Sequence, residues 1–563
     1  MNRVGTALGV GWFSCVPEKE MDIEDALNHI REHPNDVFMC NFFLDLARDL
    51  EPDALESMIW RGRDDDPQLL ALTYEACILN SKFSSLMRDF KDVDIGQLVD
   101  RSPHIYIEWS LNKDSETNLY WLREFSKNSN LHATLSSPEK SEFPLPFETK
   151  TIHEWMAGTF REQASGSGPV QKKEIKKGRQ LREEAGNLIK KLEAMGVLTG
   201  WESRTEATLC PFAVERPWNL EISVENDRNK WSLRGSLMSY GRGMNIHQAR
   251  MSCAMEAVER YSSFANIDSS GRVLGYKKDR TLLRASYKDL LHEGLDVLDP
   301  NEMCLEVPYK NQNLHWIEGE RLSENGLKPI LIPAQTVFLF SNLDEIDLTS
   351  GLPSDGLGAG SSMEAAKLHG LLEVVERDAD KVMPFSRDRC FLLDSDDEKV
   401  RETIEGNARK GIQIQLLDLT TEFGIPCYRA FVQGPGGVLL KGSAAHLDGR
   451  DAAVSAVTEV PYPYPFWFGA MPPADGVEIV QHKDLPNLSS GDSGHDLNKL
   501  ENILLKNGYR PIYVDLTRKD LDIPVVKVLV PGLEMMTVLD RFTPLGLRQF
   551  GHYMGLFEGQ TRP

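Results

Sequence analysis

Residues 349–381 read TSGLPSDGLGAGSSMEAAKLHGLLEVVERDADK, which predicts a glycine-rich loop followed by a helix. On that helix Glu373, Glu376 and Arg377 stand at i, i+3 and i+4, so two carboxylates and a guanidinium share one face. An earlier stretch, GRGMNIHQARMSCAMEAVERYSS at 241–263, repeats the lettering, with Ser252, Glu256, Glu259 and Arg260 at i, i+4, i+7 and i+8. Two acidic helix faces led in by glycines suit a magnesium–nucleotide site. Carboxylates are hard oxygen ligands for Mg2+, arginines offset phosphate charge, and glycines let backbone come close to a ligand. Carboxylates clustered without a cation raise one another's pKa, so their number also argues for a metal. The competing reading is a pair of solvated faces with intrahelical Glu/Arg pairs. The second copy, with its matching loop, weighs against it.

These residues resemble the YcaO family of ATP-dependent enzymes that modify backbone amides. The family's motifs read roughly G-K-G…S-A-x-x-E-A-x-E-R-Y-S and S-N-G-x-A-x-G-N-T…E-A…H-G-L-x-E-x-x-E-R-D-A. Here they correspond to Gly241-Arg242-Gly243 with residues 252–262, and to residues 354–379. The resemblance runs from about Lys177 to Glu534. It implies ATP and Mg2+ as cofactors, with Glu256, Glu259, Glu373 and Glu376 as metal ligands. It also implies nucleotide contacts from Ser252, Arg260 and Arg377, joined by Lys177, Arg242, Ser361, Glu364 and Glu459. Several positions depart from the pattern. Arg242 replaces a lysine, which keeps a phosphate-binding charge. Asp355 and Ser361 replace asparagines, Ala365 replaces a frequent glutamate beside Glu364, and Tyr462 stands where glutamine is frequent. The azoline-forming branch usually ends in a proline-rich tail with a catalytic C-terminus, whereas this sequence ends FEGQTRP and carries PYPYP internally, at 461–465.

With 563 residues the chain is too long for one core, and two to four domains or subdomains are expected. Its eight cysteines show no C-x-x-C pair and no Cys/His ligand spacing, so neither a disulfide framework nor a zinc site is expected. Cys253 lies within the first acidic motif and is assigned no role. The net charge of −22 disfavours nucleic acid and anionic membrane surfaces as partners. No run of about 18 apolar residues suggests a membrane span. A cytoplasmic protein, and a homodimer, are expected.

Residues 1–163 are expected to form a mostly helical region for partner or peptide binding, because IEDALNHIREH, FFLDLARDL, LLALTYEACIL and NLYWLREFSK carry apolar positions at helical spacing. This region holds 29 acidic and 16 basic residues, more than half of the charge excess. Residues 164–176 are expected to be a linker, and 177–563 the ATP-binding catalytic domain. In that domain ILIPAQTVFLF, IQIQLLDLT, IPCYRAFVQ, GVLLKGSAAH, RPIYVDLT and IPVVKVLVPG read as strands. Asp418-Leu419-Thr420 before Ile425-Pro426 is echoed by Asp515-Leu516-Thr517 before Ile523-Pro524, which suggests internally related units. The fold class expected is α+β: a mixed domain of YcaO type behind a helical N-terminal domain.

The chemistry implied by the resemblance addresses a poor leaving group. Phosphorylating the amide oxygen after a nucleophile adds lets that oxygen depart as phosphate. External sulfide gives a thioamide, an internal Cys, Ser or Thr side chain an azoline, and an amine an amidine. Thioamide formation with a sulfur-donor partner on a substrate peptide or protein is the leading expectation. An azoline-forming cyclodehydratase and a noncatalytic nucleotide-binding adaptor are the alternatives.

Overall fold

The computed structural model describes residues 2–5, 13–112, 115–159, 178–205, 209–339, 341–351, 354–434, 438–461, 476–535 and 539–558. The expected linker, Lys177, Tyr462 and all of the PYPYP run but Pro461 lie outside them.

One long hairpin organises the first sheet. Strands Phe212–Asn226 and Asn229–Gly243 pair antiparallel without a slip, from Phe212 opposite Gly243 to Asn226 opposite Asn229. Trp218, Leu220, Ile222 and Val224 are buried at every second position, as are Trp231 and Leu233. A one-residue shift would turn all of them to solvent, which fixes the register. The reading from sequence named no strand here; Pro217 inside the run is the kind of residue that disguises one. The helix Ile246–Ser263 then folds back over this hairpin. Asn245 caps it, its side chain accepting from the backbone N–H groups of His247 and Gln248.

The glycine stretches are loops only in part: Gly351, Gly356 and Gly360 lie in a bend, a turn and irregular backbone, while the glycines nearest each helix's crossing are in strands. Gly241-Arg242-Gly243 ends the second hairpin strand, and Leu357–Ala359 is a short strand of its own. A Cβ on Gly241 would lie 2.0 Å from the Ala249 carbonyl oxygen, and one on Gly358 would lie 2.3 Å from that of Ala366. These glycines therefore bring each strand into contact with the helix that follows it, rather than toward a phosphate. Gly241 and Gly358, Glu256 and Glu373, Glu259 and Glu376, and Arg260 and Arg377 are all separated by the same interval in the sequence. Strand, helix and acidic face form one unit built twice.

A second sheet runs in the order Gly326–Pro333, Leu314–Ser323, Ile512–Asp515, Val525–Leu529, Leu357–Ala359. A third runs Leu439–Ala445, Cys427–Gln433, Gln415–Asp418, Cys390–Asp394, Glu478–Gln481. The echo noted in the sequence is a repeated turn joining antiparallel strands in these two sheets. Asp418 Oδ1 accepts from the Thr420 N–H and Asp515 Oδ1 from the Thr517 N–H, both at 2.8 Å. The hydroxyls of Thr420 and Thr517 accept in turn from the backbone N–H of Cys427 and Val525, both at 3.4 Å.

The N-terminal region is mostly helical: Ile23–Glu32, Val37–Arg48, Pro67–Leu79 and Ser115–Leu131 fall on the four stretches of helical periodicity, and Pro52–Asp65 is a further helix. It shares side-chain packing with the rest of the molecule at several places: His132 stacks on Phe385 at 3.9 Å, Tyr106 and Trp109 each meet Phe542 at 5.0 Å, and two larger contacts join them. Phe38 belongs to the core beneath the long hairpin and meets the Trp231 ring edge-on at 4.8 Å. Around it Asn342 Nδ2 donates to Asp36 Oδ1 (2.9 Å) and Asn35 Nδ2 to Asp344 Oδ1 (2.8 Å). At the other place Trp121 and Phe125 pack against Phe550 and Tyr553 of the helix Leu547–Glu558. Among the described residues no helix is long and apolar enough to cross a membrane.

Candidate functional site

A cavity of about 1740 Å3 lies between the two acidic helices, Ile246–Ser263 and Met363–Val382. Ser252, Glu256, Glu259 and Arg260 line it from the first, and Glu373, Glu376 and Arg377 from the second. Arg242 at the hairpin end and Glu459 at the end of the helix Gly449–Glu459 line it too, and they form an ion pair with each other. Ser361 and Glu364 are exposed at the start of the second acidic helix and do not line the cavity. Lys177 lies outside the described residues.

The carboxylates are anchored by backbone as well as by helix spacing. The Tyr240 N–H donates to Glu256 Oε2 (2.6 Å) and the Gly356 N–H to Glu373 Oε2 (3.1 Å). Glu259 reaches across to the other unit, where its Oε1 accepts from the Ala359 N–H (2.8 Å) and lies 3.6 Å from His369 Nε2. The side chains of Glu256, Glu259 and Glu376 keep only 19, 13 and 16 % of their surface, so they meet solvent through the cavity alone. Burial accordingly pushes Glu256 up to about 7, against the pull of Arg260 and the Tyr240 N–H. Burial raises Glu376 to about 8 and Glu259 above the ordinary carboxylate range.

Sequence reasoning treated Asp355 only as a departure from a pattern. It is a further carboxylate of the site. It lines the cavity, accepts from Arg377 Nε at 3.1 Å, and is raised to about 6 by burial and by the charge of Glu373. Its signal, an acidic residue inside a glycine-rich run, is weak without the helix that Arg377 brings beside it. The sequence also gave no sign that the N-terminal region forms a cavity wall. Phe38, Asn41, Asp45 and Arg48 line it from one face of the helix Val37–Arg48, while Met39, Cys40, Phe43 and Ala47 enter the N-terminal core from the other. His104 and Tyr106 extend that wall.

Behind the second acidic helix lies a buried ionic cluster. Arg548, on the helix Leu547–Glu558, pairs with Asp378, the residue after Arg377, and with Glu422 at 2.7 Å. Lys381 Nζ lies 2.6 Å from Glu534, whose backbone N–H donates to Asp378 Oδ1 at 3.0 Å. Seven cysteines are described, all free. Cys253 is buried, its Sγ donating to the Ser239 carbonyl at 3.3 Å, as a packing residue would.

The donor set fits Mg2+ in a particular way. Its groups are hard oxygens on opposing faces, and the cost of keeping them ionised in a buried place falls when a cation arrives. Among the described residues no three His, Cys, Asp or Glu side chains converge closely enough to hold an ion alone. An ion that completes its shell with phosphate oxygens and water matches such a divided set. Arg260 Nε, buried beside them without a hydrogen-bond partner, is a donor that an anion in the cavity could use.

A family model described as YcaO cyclodehydratase, ATP- and Mg2+-binding, matches residues 240–461 and 466–534. The chain belongs to the YcaO family. As a member it takes ATP and Mg2+ as cofactors. An uncharacterized protein of Methanothermobacter thermautotrophicus is 30 % identical over 338 residues, covering 53 % of this chain and 82 % of that one. Among solved structures, a heterocyclase in complex with substrate and cofactor is 22 % identical with a TM-score of 0.51. That match covers 70 % of this chain and 59 % of the heterocyclase, and shows a shared fold. The YcaO protein from Methanopyrus kandleri bound with AMPPCP and Mg2+ is 23 % identical with a TM-score of 0.44, covering 63 % of this chain and 91 % of its own.

Proposed function

We propose that this chain is an ATP- and Mg2+-dependent enzyme that activates a backbone amide of a peptide or protein by phosphorylating the amide oxygen, and that its product is a thioamide formed with an external sulfur donor. The observation that carries the reading is the pair of acidic faces turned toward one cavity. Pockets for single small ligands span about 300–1,000 Å3, so 1740 Å3 leaves room beyond a nucleotide for a length of peptide. Residues 1–163 supply the wall opposite the acidic faces and take the peptide-recognition role, with 177–563 as the ATP-binding unit.

Glu256, Glu259, Glu373 and Glu376 supply oxygen ligands, and Arg260 and Arg377 supply cationic charge beside them. Mg2+, when bound, offsets the charge that develops on the transferred phosphoryl group. The helix Val37–Arg48 walls one side of the cavity and so limits the access of water, which would otherwise compete as nucleophile. The external nucleophile is the finer part of this reading, and the mass of the product is what tests it. The second reading, azoline formation, is favoured by the family's description as cyclodehydratases.

Calorimetry on Glu256→Ala and Glu373→Ala tests the nucleotide site: loss of Mg-ATP binding with an intact fold is expected, and wild-type affinity in both would sink the assignment. Mass spectrometry of a modified peptide tests the product. Exchange of oxygen for sulfur makes the peptide heavier, whereas loss of water would establish the azoline reading. Phosphate release with no change in any peptide would leave only nucleotide binding.

A further inference from the structure

Away from the acidic helices, the cavity wall carries a second constellation, assembled between the N-terminal region and the chain that leads to Asp355. Glu75 is wholly buried on the helix Pro67–Leu79. Its Oε1 accepts from the Ser102 hydroxyl at 2.7 Å, and its Oε2 lies 3.1 Å from His104 Nδ1. His104 keeps 3 % of its side-chain surface, and its Nε2 is buried without a hydrogen-bond partner. Beside it the backbone N–H of Asp347 donates to the Pro103 carbonyl at 2.8 Å, and Asp347, His104 and Tyr106 all line the cavity. The Asp347 carboxylate accepts no hydrogen bond from a described residue. Glu75 and His104 precede the residues that the family model matches.

A buried glutamate–imidazole pair alone is ordinary packing. A left-over ring nitrogen and a carboxylate without a donor, together at a cavity, are not, because buried polar groups are normally satisfied. From Asp347 the chain runs through Thr349, Ser350 and Gly351 to Asp355, all of them lining the same cavity, so the constellation and the acidic faces share one space. Burial pushes Asp347 up to about 7; the charge of His104 pulls against this, and those of Glu345, Glu75 and Glu306 add to it. Burial disfavours the charged form of His104, but the charges of Glu75 and Asp347 hold it above its ordinary value. Tyr106 and Cys40, which also feel Asp347, are raised by burial and stay neutral in this range.

We propose that Asp347 is the general base of the reaction and that His104, held by Glu75, is a positioning residue behind it. This rests on the amide-activating reading above. With hydrogen sulfide as donor, one S–H bond breaks as its electron pair joins the amide carbon, and Asp347 takes the proton. The carbonyl pair moves to oxygen, which takes the γ-phosphoryl group and releases ADP. Phosphate then leaves with the C–O pair and the second sulfur proton, while the second S–H pair closes the C=S bond.

Two measurements on the full chain test this. A water-soluble carbodiimide with glycinamide couples protonated carboxyl groups, so peptide mapping from about pH 5 to about pH 9 reads the proton on Asp347 in the nucleotide-free protein. Labelling is expected to fall by half near pH 7, and at higher pH in His104→Asn, where the imidazolium that draws the proton off is gone. Should that variant fail to fold, His104→Gln reads the same shift. The second measurement is turnover of a randomised peptide library with sodium sulfide and Mg-ATP, followed by mass spectrometry and phosphate release. Asp347→Asn is expected to lower product formation about hundredfold or more with Mg-ATP affinity near wild type, and in His104→Asn the rising limb of rate against pH should move to higher pH. Near-wild-type turnover in Asp347→Asn, labelling of Asp347 confined to acidic pH, or labelling that the His104 variants leave in place would overturn the proposal. A wild-type protein that turns over no peptide would overturn the amide-activating reading and the base with it, while the labelling would still decide whether His104 acts on Asp347.

Discussion

Under the proposed assignment, protons and Mg2+ compete for the same oxygen atoms at this site. In the unfolded chain Glu256 and Glu376 release their protons near 4.5; in the fold they retain them to about 7 and about 8, because burial penalises the charged form. Between these limits the folded state binds more protons than the unfolded state, so stability is highest at the acidic end and falls as pH rises through the window. A cation that takes the protons' place removes that cost. The melting temperature of the nucleotide-free protein should therefore decline from about pH 5 to about pH 8, and the stabilisation by Mg-ATP should grow over the same range. A flat nucleotide-free profile in differential scanning calorimetry would show that these carboxylates ionise freely. Metal binding near pH 7 should also release protons, seen as a binding enthalpy that varies with the ionisation enthalpy of the buffer.

Each acidic helix is placed by the strand before it, and the glycines at that crossing set the distance between them. At Gly358 a Cβ would meet backbone atoms at 2.3 and 2.6 Å, which no side-chain rearrangement relieves. Gly358→Ala is expected to cost about 1–3 kcal/mol of stability and to lower Mg-ATP affinity by displacing Glu373 and Glu376. Gly241→Ala should do the same to the first helix. Gly186, within the helix Gly178–Ala194 and with open space around it, is the control, and its change to alanine should be neutral or stabilising by up to about 1 kcal/mol. Urea denaturation decides among them; a tolerated Gly358→Ala would mean that strand and helix can part without harm. Both acidic helices and the repeated turns were legible in the sequence because they depend on local spacing. The crossing was not, since a glycine required by a neighbour far along the chain looks the same as one required by a loop. Asp355 was visible as a residue but not as a partner, because its separation of 22 positions from Arg377 takes in a strand and most of a helix. The long hairpin escaped notice for a related reason: its pattern is alternation across a proline, and only pairing over its whole length reveals it.

Across the whole molecule, the cavity belongs to both ends of the chain. The sequence suggests that residues before Ala164 can be removed without loss of the nucleotide site, and the structure gives that cut a price. It would uncover Trp231, Phe550 and Tyr553 and take away the wall formed by Phe38, Asn41, Asp45 and Arg48. A chain starting at Ser165 is expected to melt earlier than the full protein and to bind hydrophobic dyes. Undiminished melting and Mg-ATP affinity would restore the separable domain. Phe38→Ala is the single-residue form of the test and should cost about 3–5 kcal/mol in urea denaturation. The cluster behind the second acidic helix has a further consequence for biosynthesis. Asp378 is wholly buried, and its counter-ion Arg548 is made long after it. On the ribosome the first acidic unit needs nothing beyond the strands that complete its core, the last of which ends at Leu529, while the second carries an uncompensated interior charge until the residues around 548 have emerged. Stalled chains that stop short of Phe542 should accordingly show a protease-sensitive Met363–Val382 helix beside a protected hairpin. A nascent chain of this kind lacks a fixed second acidic face, so Mg-ATP binding is expected only after the residues around 548 have been made.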